Sequence, residues 1–116
     1  MRYVLLLYGD EALDKEVTPE QWQEVIEAHN VFTAEADERG MNPGGAALQP
    51  TETARTVRYE EREPTMVTDG PFAETKEQLG GFYILECQSM EEALEMARKL
   101  PVTTGSVEVR PVIQFD

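Results

Sequence analysis

Two segments of this sequence, Tyr3–Tyr8 and Phe82–Cys87, are apolar at almost every position. Successive side chains of a β-strand point to opposite faces of a sheet. A strand that is apolar throughout must therefore be covered on both faces. The first segment ends at Gly9–Asp10, and Gly80–Gly81 precedes the second. Any fold of this chain has to supply cover for both sides of a sheet.

Two other segments carry the signals of a helix. The first begins at Thr18, where Pro19 suits the first helical position and Gln21 completes a capping box. Apolar residues then recur at helical spacing over residues 18–39. The second helix begins with a capping box at Ser89. The sequence therefore predicts one long and one short helix.

The rest of the chain supplies further strands. Residues 54–60 and 64–68 are predicted to form a hairpin, and residues 105–115 carry the last strand. The order strand, helix, hairpin, strand, helix, strand is that of a ferredoxin-like α+β sandwich with an extra hairpin. At 116 residues, the chain is expected to form one domain, residues 1–116.

Two helices can cover only one face of such a sheet. Because the two core strands are apolar on both faces, the other face needs a partner, and the simplest partner is the same face of a second copy. We therefore expect a homodimer in which two sheets pack face to face.

Composition limits the partners. The formal net charge of −13 makes non-specific binding to nucleic acid or to an anionic membrane surface unfavourable. The apolar start is too short for a signal peptide and lacks a small-residue cleavage site. No apolar run approaches the roughly 20 residues that span a bilayer. We expect a cytoplasmic protein.

Common cofactor and metal motifs are absent from the sequence. It has no P-loop, G-x-G-x-x-G, G-x-S-x-G or H-E-x-x-H motif, so no cofactor is predicted. His29 is the single histidine, which excludes a site built on a histidine pair, and nothing marks a carboxylate-only metal site. Cys87 is the single cysteine, which excludes an intrachain disulfide and predicts a small buried apolar residue.

The segment Val67–Glu77 is unusually polar for a connection between core strands. As a functional loop it would fold over a pocket, with Asp69 as an acid, base or ligand anchor and Lys76 as its cationic partner. As a structural loop it would have Asp69 accept bonds from its own turn and Phe72 plug the core. Gly70 would supply a backbone conformation that other residues avoid. The residues alone leave both interpretations open.

Three other places are candidates for function. His29 lies on the apolar stripe of the long helix, either as a general base or as a histidine satisfied by hydrogen bonds at a junction. Glu108 and Arg110 share one face of the last strand, so they either form an intersubunit ion pair or line a polar cavity between sheets. Gly80–Gly81 would let the backbone approach a ligand closely.

The run Asp69–Phe82, which reads DGPFAETKEQLGGF, resembles the signature of the DGPF-domain proteins, a branch of the YCII-related family. Gly105–Pro111 and Tyr8–Glu11 fit the closing and opening motifs of that branch, so the resemblance covers essentially the whole chain. It implies a ferredoxin-like fold assembled as a dimeric α+β barrel. Some YCII-type relatives have been proposed as enzymes because a histidine and an aspartate meet in a cleft. DGPF proteins are often encoded near extracytoplasmic-function sigma factors.

The residues and the resemblance together predict a dimeric small-molecule-binding domain of unassigned activity. If it is an enzyme, Asp69 and His29 are its acid–base pair. The alternatives are an accessory protein that binds a partner such as an extracytoplasmic-function sigma factor, or a purely structural dimer motif. The residues expected to contact the ligand lie on the polar loop and the last two strands of the sheet: Gly70, Phe72, Glu74, Lys76, Gly81, Glu108 and Arg110.

Overall fold

A computed structural model describes residues 1–115 of the chain. Within them the elements follow in the order β1 (Arg2–Gly9), α1 (Glu11–Asp14), α2 (Pro19–Glu38), β2 (Gly44–Ala47), a 3-10 turn (Thr51–Thr53), β3 (Arg55–Glu60), β4 (Glu63–Asp69), β5 (Gln78–Glu86), α3 (Met90–Ala97) and β6 (Gly105–Pro111). The long helix, the hairpin, the second helix and the core strands were predicted from sequence, and their presence is confirmed. The short helix α1 and the 3-10 turn were not predicted.

Four strands form one antiparallel sheet in the order β2–β5–β1–β6. The strand β1 lies at the centre, where Leu5 is paired with Tyr83 on one side and with Val109 on the other. The predicted mixed α+β class is confirmed, and this strand order agrees with a ferredoxin-like sandwich. The remaining strands, β3 and β4, form a separate two-stranded sheet.

The long helix α2 begins and ends as its sequence indicates. The Thr18 hydroxyl accepts from the Gln21 N–H at 3.1 Å, and the Gln21 side chain accepts from the Thr18 N–H at 2.9 Å. The helix ends at Glu38, and Gly40, which follows the C-cap Arg39, has a φ of +71° that glycine adopts readily. Among residues 1–115, no helix is both long and apolar enough to cross a membrane.

The predicted capping box of α3 is only half formed. The Ser89 hydroxyl accepts from the Glu92 N–H at 3.2 Å, as expected. The Glu92 carboxylate, however, accepts from the N–H of Gln88 and not from that of Ser89. The reciprocal bond is thus shifted by one residue toward the N-terminus.

Both main helices pack on one face of the sheet and enclose the core there. Phe32 of α2 contacts the Tyr83 ring at a centroid distance of 4.8 Å. Cys87 is buried in this core, as predicted from its apolar strand. The fully or almost fully buried core residues are Tyr3, Leu5, Phe32, Ala36, Met41, Leu85, Cys87, Ala93, Met96 and Leu100.

The opposite face of the sheet has no helix upon it in the described chain. Strand alternation places Val4 and Leu6 of β1 and Phe82 and Ile84 of β5 on this face, where they are paired across the two strands and remain partly exposed. We call this surface, formed by Val4, Leu6, Phe82 and Ile84, the open face.

The hairpin β3–β4 stands apart from the main sheet. Its apolar residues Val57, Tyr59, Met66 and Val67 are all about half exposed or more. The chain has a radius of gyration of 16.1 Å, against roughly 13 Å for a compact chain of this length. An isolated two-stranded hairpin is marginally stable in water, so this hairpin gains from contact with another surface.

Candidate functional site

A cavity of about 1150 Å³ lies at the end of the sheet where β1 stops and β5 starts. Three pieces of chain surround it: helix α1, the segment that contains the 3-10 turn, and the loop that leads into β5. Its lining residues are Tyr8, Asp10, Leu13, Leu48, Gln49, Pro50, Thr51, Thr53, Ala54, Pro71, Phe72, Ala73, Thr75, Lys76, Glu77, Gln78, Leu79 and Thr104.

Hydrogen bonds from Glu11 hold the walls of the cavity together. The Glu11 carboxylate accepts from the backbone N–H of Thr51 at 2.9 Å and from the Thr51 hydroxyl at 2.8 Å. The Glu11 N–H donates to the side-chain carbonyl of Gln78 at 3.0 Å. Because a single residue of α1 ties the 3-10 turn to the start of β5, the cavity shape is built into the fold.

The turn at Gly70 fixes the direction of the loop. Gly70 has a φ of +88°, and a Cβ there would meet no heavy atom within 4 Å. Glycine is therefore required for its backbone conformation and not for space, as the sequence indicated. The Gly70 N–H donates to the Ala54 carbonyl at 2.8 Å, and the Thr56 hydroxyl donates to the Gly70 carbonyl at 2.7 Å. The hairpin thus anchors the loop.

Phe72 lines the cavity and is 77% exposed. The structural interpretation that Phe72 plugs the core is wrong, because the Gly70 turn carries its ring outward. The Arg58 guanidinium donates to the Phe72 carbonyl at 3.1 Å, which fixes the backbone beneath the ring. The ring is an exposed apolar surface next to a cavity, which is where a ligand would contact it.

Asp69 ends the hairpin and points to solvent. Its carboxylate forms an ion pair with Arg55 at 3.0 Å, and its side chain is 89% exposed. This contact runs across the hairpin. The structural interpretation required the Asp69 carboxylate to accept bonds from the backbone of its own turn, and the ion pair with Arg55 is not such a contact. Exposed ion pairs contribute roughly 0–1 kcal/mol, so this pair adds little to stability. Asp69 is separated from the cavity lining by Gly70, and the proposed acid–base role stays a prediction.

His29 forms a close pair with Tyr83 on the helix-covered face of the sheet. The His29 Nδ1 and the Tyr83 hydroxyl oxygen are 2.6 Å apart, and the two rings are stacked at 5.8 Å. Burial lowers the pKa of His29 and raises the pKa of Tyr83. Both shifts favour neutral side chains, so the Tyr83 O–H can donate to an unprotonated Nδ1.

The described contacts do not bring Asp69 and His29 together. His29 pairs with a β5 tyrosine under α2, whereas Asp69 pairs with an arginine at the end of the hairpin. Nor does His29 line the cavity. Within a single chain the two residues do not form a catalytic pair, so the predicted pair remains a prediction.

The other predicted ligand contacts do not all lie at the cavity. Lys76 lines it, and Glu74 lines a smaller neighbouring hollow of about 400 Å³ that also includes Gly70. Gly81 lies against strand β2, where a Cβ would come within 2.9 Å of the Ala46 carbonyl oxygen. Its close backbone contact in this structure is therefore with a neighbouring strand.

Glu108 and Arg110 pair with each other along β6 at 3.5 Å. The Tyr8 hydroxyl also approaches a Glu108 carboxylate oxygen, at 3.4 Å. Tyr8 lines the cavity, so these charges lie on the side of the sheet that leads into it. Whether they also form an intersubunit ion pair remains a prediction.

Several residues of the site were missed by sequence reasoning. Tyr83 was assigned only to an apolar strand, although a buried tyrosine hydroxyl needs a partner and His29 was a candidate. Leu13 and Leu48 were not singled out, because neither belongs to a periodic pattern. Within residues 1–115, no group of three or more histidine, cysteine or acidic side chains is placed to hold a metal ion.

Comparisons with known proteins cover the whole chain. A family model described as the YCII-related domain matches residues 1–116. An uncharacterized protein of Rhizobium meliloti (strain 1021) is 43% identical over 118 residues, covering 99% of this chain and 94% of the relative. The similarity spans both the core strands and the loop that borders the cavity.

Proposed function

This chain belongs to the YCII-related domain family, and we propose that it acts as a homodimer that binds a small molecule in the cavity beside Phe72. The observation that carries the proposal is the cavity itself. Its volume of about 1150 Å³ is comparable to that of drug-sized ligand sites, which run to roughly 1,000 Å³. Aliphatic, proline and aromatic residues make up half of its lining, and the other half are polar or charged. Ligand sites likewise combine apolar walls with polar groups that orient the ligand.

The shape of the site does not depend on a ligand. Glu11 and Gly70 hold the walls through hydrogen bonds within the chain. Ligand binding to a pre-formed pocket costs less free energy, because fewer side chains and loops have to be ordered. An exposed phenylalanine at its edge also gains apolar contact when a ligand covers it. Both features favour binding over a loop that only seals a dimer.

The homodimer is supported by the open face. Four apolar side chains of the central strands lie there without a covering helix in the described chain. Packing the open faces of two copies together would give the dimeric α+β barrel. The exposed hairpin, which carries Tyr59 and Val67, supplies further apolar surface for the same partner.

We assign the chain to the DGPF branch of the family. The support is the resemblance of the run Asp69–Phe82 to the signature of that branch. Part of this run, Pro71–Ala73 and Thr75–Leu79, lines the cavity. The unpaired Cys87 suits a reducing compartment, so the cytoplasm is the proposed location. If the protein is also an enzyme, Asp69 and His29 are its proposed acid–base residues.

The dimer is tested by placing a charge on the open face. Leu6 is paired with Glu108, so Leu6→Glu puts two carboxylates side by side at the centre of that face. Val31→Glu, on an exposed position of α2, is the matched control. Sedimentation at micromolar concentration should give a dimer for the wild type and Val31→Glu and a folded monomer for Leu6→Glu. A wild-type monomer, or equal dissociation of both variants, contradicts the proposal.

Binding is tested by a thermal-shift screen of small apolar compounds. A compound at about 100 times its Kd should stabilise the protein by roughly 2.7 kcal/mol. Phe72→Ala should lose the hits, whereas Val31→Ala, which removes an equally exposed apolar side chain from α2, should keep them. If no compound binds, or if Phe72→Ala keeps every hit, the binding function is wrong. An accessory role toward a sigma factor or a structural role then becomes the better account.

A further inference from the structure

Three acidic or amide side chains around the cavity, those of Asp10, Glu77 and Gln78, are already used by the fold. The Asp10 carboxylate accepts from the Ala12 N–H at 2.9 Å as the cap of α1. The Glu77 carboxylate accepts from the Ser106 hydroxyl at 3.0 Å. The Gln78 side chain donates to the Thr75 carbonyl at 2.6 Å and accepts from the backbone of α1. These groups hold the walls and have reduced capacity for a ligand.

Lys76 differs from them. It is exposed and, among residues 1–115, is the one basic residue that lines the cavity. Within residues 1–115, no carboxylate forms an ion pair with it, although this chain is rich in acidic residues. A lysine ammonium is a compact charge with three donors on a flexible stem. The ammonium can reach an anionic group held in the cavity while most of it stays in contact with water.

The cavity walls and the net charge of the chain limit the class of ligand further. Leu13, Leu48, Phe72 and Leu79 present apolar surface around the space that Lys76 borders. The net charge of −13 penalises each additional negative charge on a ligand. A single anionic group is the most that one lysine can compensate, and the apolar walls favour a hydrocarbon body.

We propose that the cavity takes an amphipathic monoanion, with an aryl or alkyl body against Phe72 and Leu79 and one carboxylate-type head at Lys76. This inference rests on the proposed binding function and adds the class of ligand to it. The head would be held by a charge-assisted hydrogen bond, and the body by burial of apolar surface.

The test compares compounds that share a body and differ in charge. The probes are 4-phenylbutyrate, its neutral amide 4-phenylbutanamide and the cation 4-phenylbutylamine, each titrated by ligand-observed NMR. An exposed ion pair is worth up to roughly 1 kcal/mol, so the carboxylate should bind about fivefold tighter than the amide. The amine should bind more weakly than the carboxylate, because the Lys76 ammonium repels its charge. The preference for the carboxylate should fall as salt is raised, since exposed charges are screened.

Variants assign that preference to one residue. Lys76→Gln should remove the carboxylate preference and leave binding of the amide unchanged. Lys15→Gln is the matched control, because Lys15 is equally an exposed lysine near α1 but does not line the cavity. Because both lysines are exposed, we expect both variants to fold, and circular dichroism checks this.

The possible failures are distinguishable. If acid and amide bind equally and Phe72→Ala weakens both, the site stands and the monoanion is wrong. If Lys15→Gln removes the preference as fully as Lys76→Gln, general electrostatics explains it and the assignment to Lys76 is wrong. If none of the three probes binds at millimolar concentration, the monoanion proposal is wrong, and an empty thermal-shift screen would overturn the binding function as well.

Discussion

Adjacent glycines at the start of β5 should respond very differently to the same substitution. A Cβ on Gly81 would lie 2.9 Å from the Ala46 carbonyl oxygen and 3.4 Å from the Ala47 Cα. A Cβ on Gly80 would have the Leu7 carbonyl oxygen as its nearest neighbour, at 3.9 Å. The first contact is too short for a real Cβ, and the second is an ordinary van der Waals contact. Gly81→Ala should therefore destabilise the protein, and Gly80→Ala should not.

The magnitude follows from what can move. The clash is with backbone, so it cannot be relieved by a side-chain rotation, and overpacking of this kind costs roughly 1–3 kcal/mol. Strand β2 is a four-residue edge strand whose residues are exposed, so it can shift outward. The lower unfolded-state entropy of alanine offsets about 0.4–1 kcal/mol. We expect a loss of about 1–2 kcal/mol for Gly81→Ala and a change within about 0.5 kcal/mol for Gly80→Ala.

Urea unfolding of the two variants and the wild type measures this difference. Equal midpoints for Gly81→Ala and the wild type would refute the packing argument. If Gly81→Ala keeps full stability but loses the ligand hits, the close approach at Gly81 serves a ligand, as the sequence first suggested. Loss of stability with the hits retained assigns Gly81 to the pairing of β2 with β5.

Three other predictions test the turn and the partly buried His29–Tyr83 pair. Gly70→Ala should lower the free energy of unfolding by about 1 kcal/mol, because alanine is strained at the Gly70 φ of +88°. Gly44 also has no neighbour within 4 Å but lacks the positive φ, so Gly44→Ala should be near neutral in urea unfolding. Equal effects of the two substitutions would contradict the backbone argument. Burial lowers the pKa of His29 below its unfolded value, so its contribution to stability is complete above about pH 6.5 and is lost as the pH falls below that value. His29→Gln should reduce the loss of stability between pH 7.5 and 5.5, and an unchanged slope would show that His29 does not titrate in this way. Tyr83→Phe, which removes the hydroxyl that bonds to His29, should cost about 1 kcal/mol at pH 7.5.

The sequence predicted the elements that depend on local signals. The capping box at Thr18 and the stop at Gly40 bound α2 within about a residue of the prediction, because caps are made by residues close in the chain. The Gly70 turn was likewise predicted with its physical reason. In contrast, α1 is only four residues long and has no buried residue, so no apolar periodicity marks it.

The contents of the site depend on contacts between distant residues, which local signals do not report. His29 and Tyr83 are 54 residues apart, and their pairing follows from how α2 crosses the sheet. Glu11 and Thr51 meet because α1 and the 3-10 turn converge at the end of β1. The polar loop borders the cavity, which is one of the two interpretations that the sequence left open, but the walls opposite it could not be assigned.

A bulge explains why the cavity opens where it does. The pairing of β1 with β5 shifts between Leu7 and Tyr8, so Leu79 and not Gly80 lies opposite Tyr8. Directly paired residues present their side chains to the same face, and Tyr8 and Leu79 accordingly both line the cavity. Simple alternation from Phe82 would have placed Leu79 on the helix-covered face, so the sequence pattern alone gives the wrong side.

The same bulge connects the two proposals. Tyr8 and Leu6 are successive residues on one side of β1, so the floor of the cavity continues directly into the open face. A second copy that covers Leu6 and Phe82 would border the space that a ligand fills beside Tyr8. If the ligand contacts the dimer better than the monomer, thermodynamic linkage requires that dimerisation tighten ligand binding by the same factor by which the ligand favours the dimer. Leu6→Glu should then weaken ligand binding without altering any residue that lines the cavity, whereas Val31→Glu should leave it unchanged.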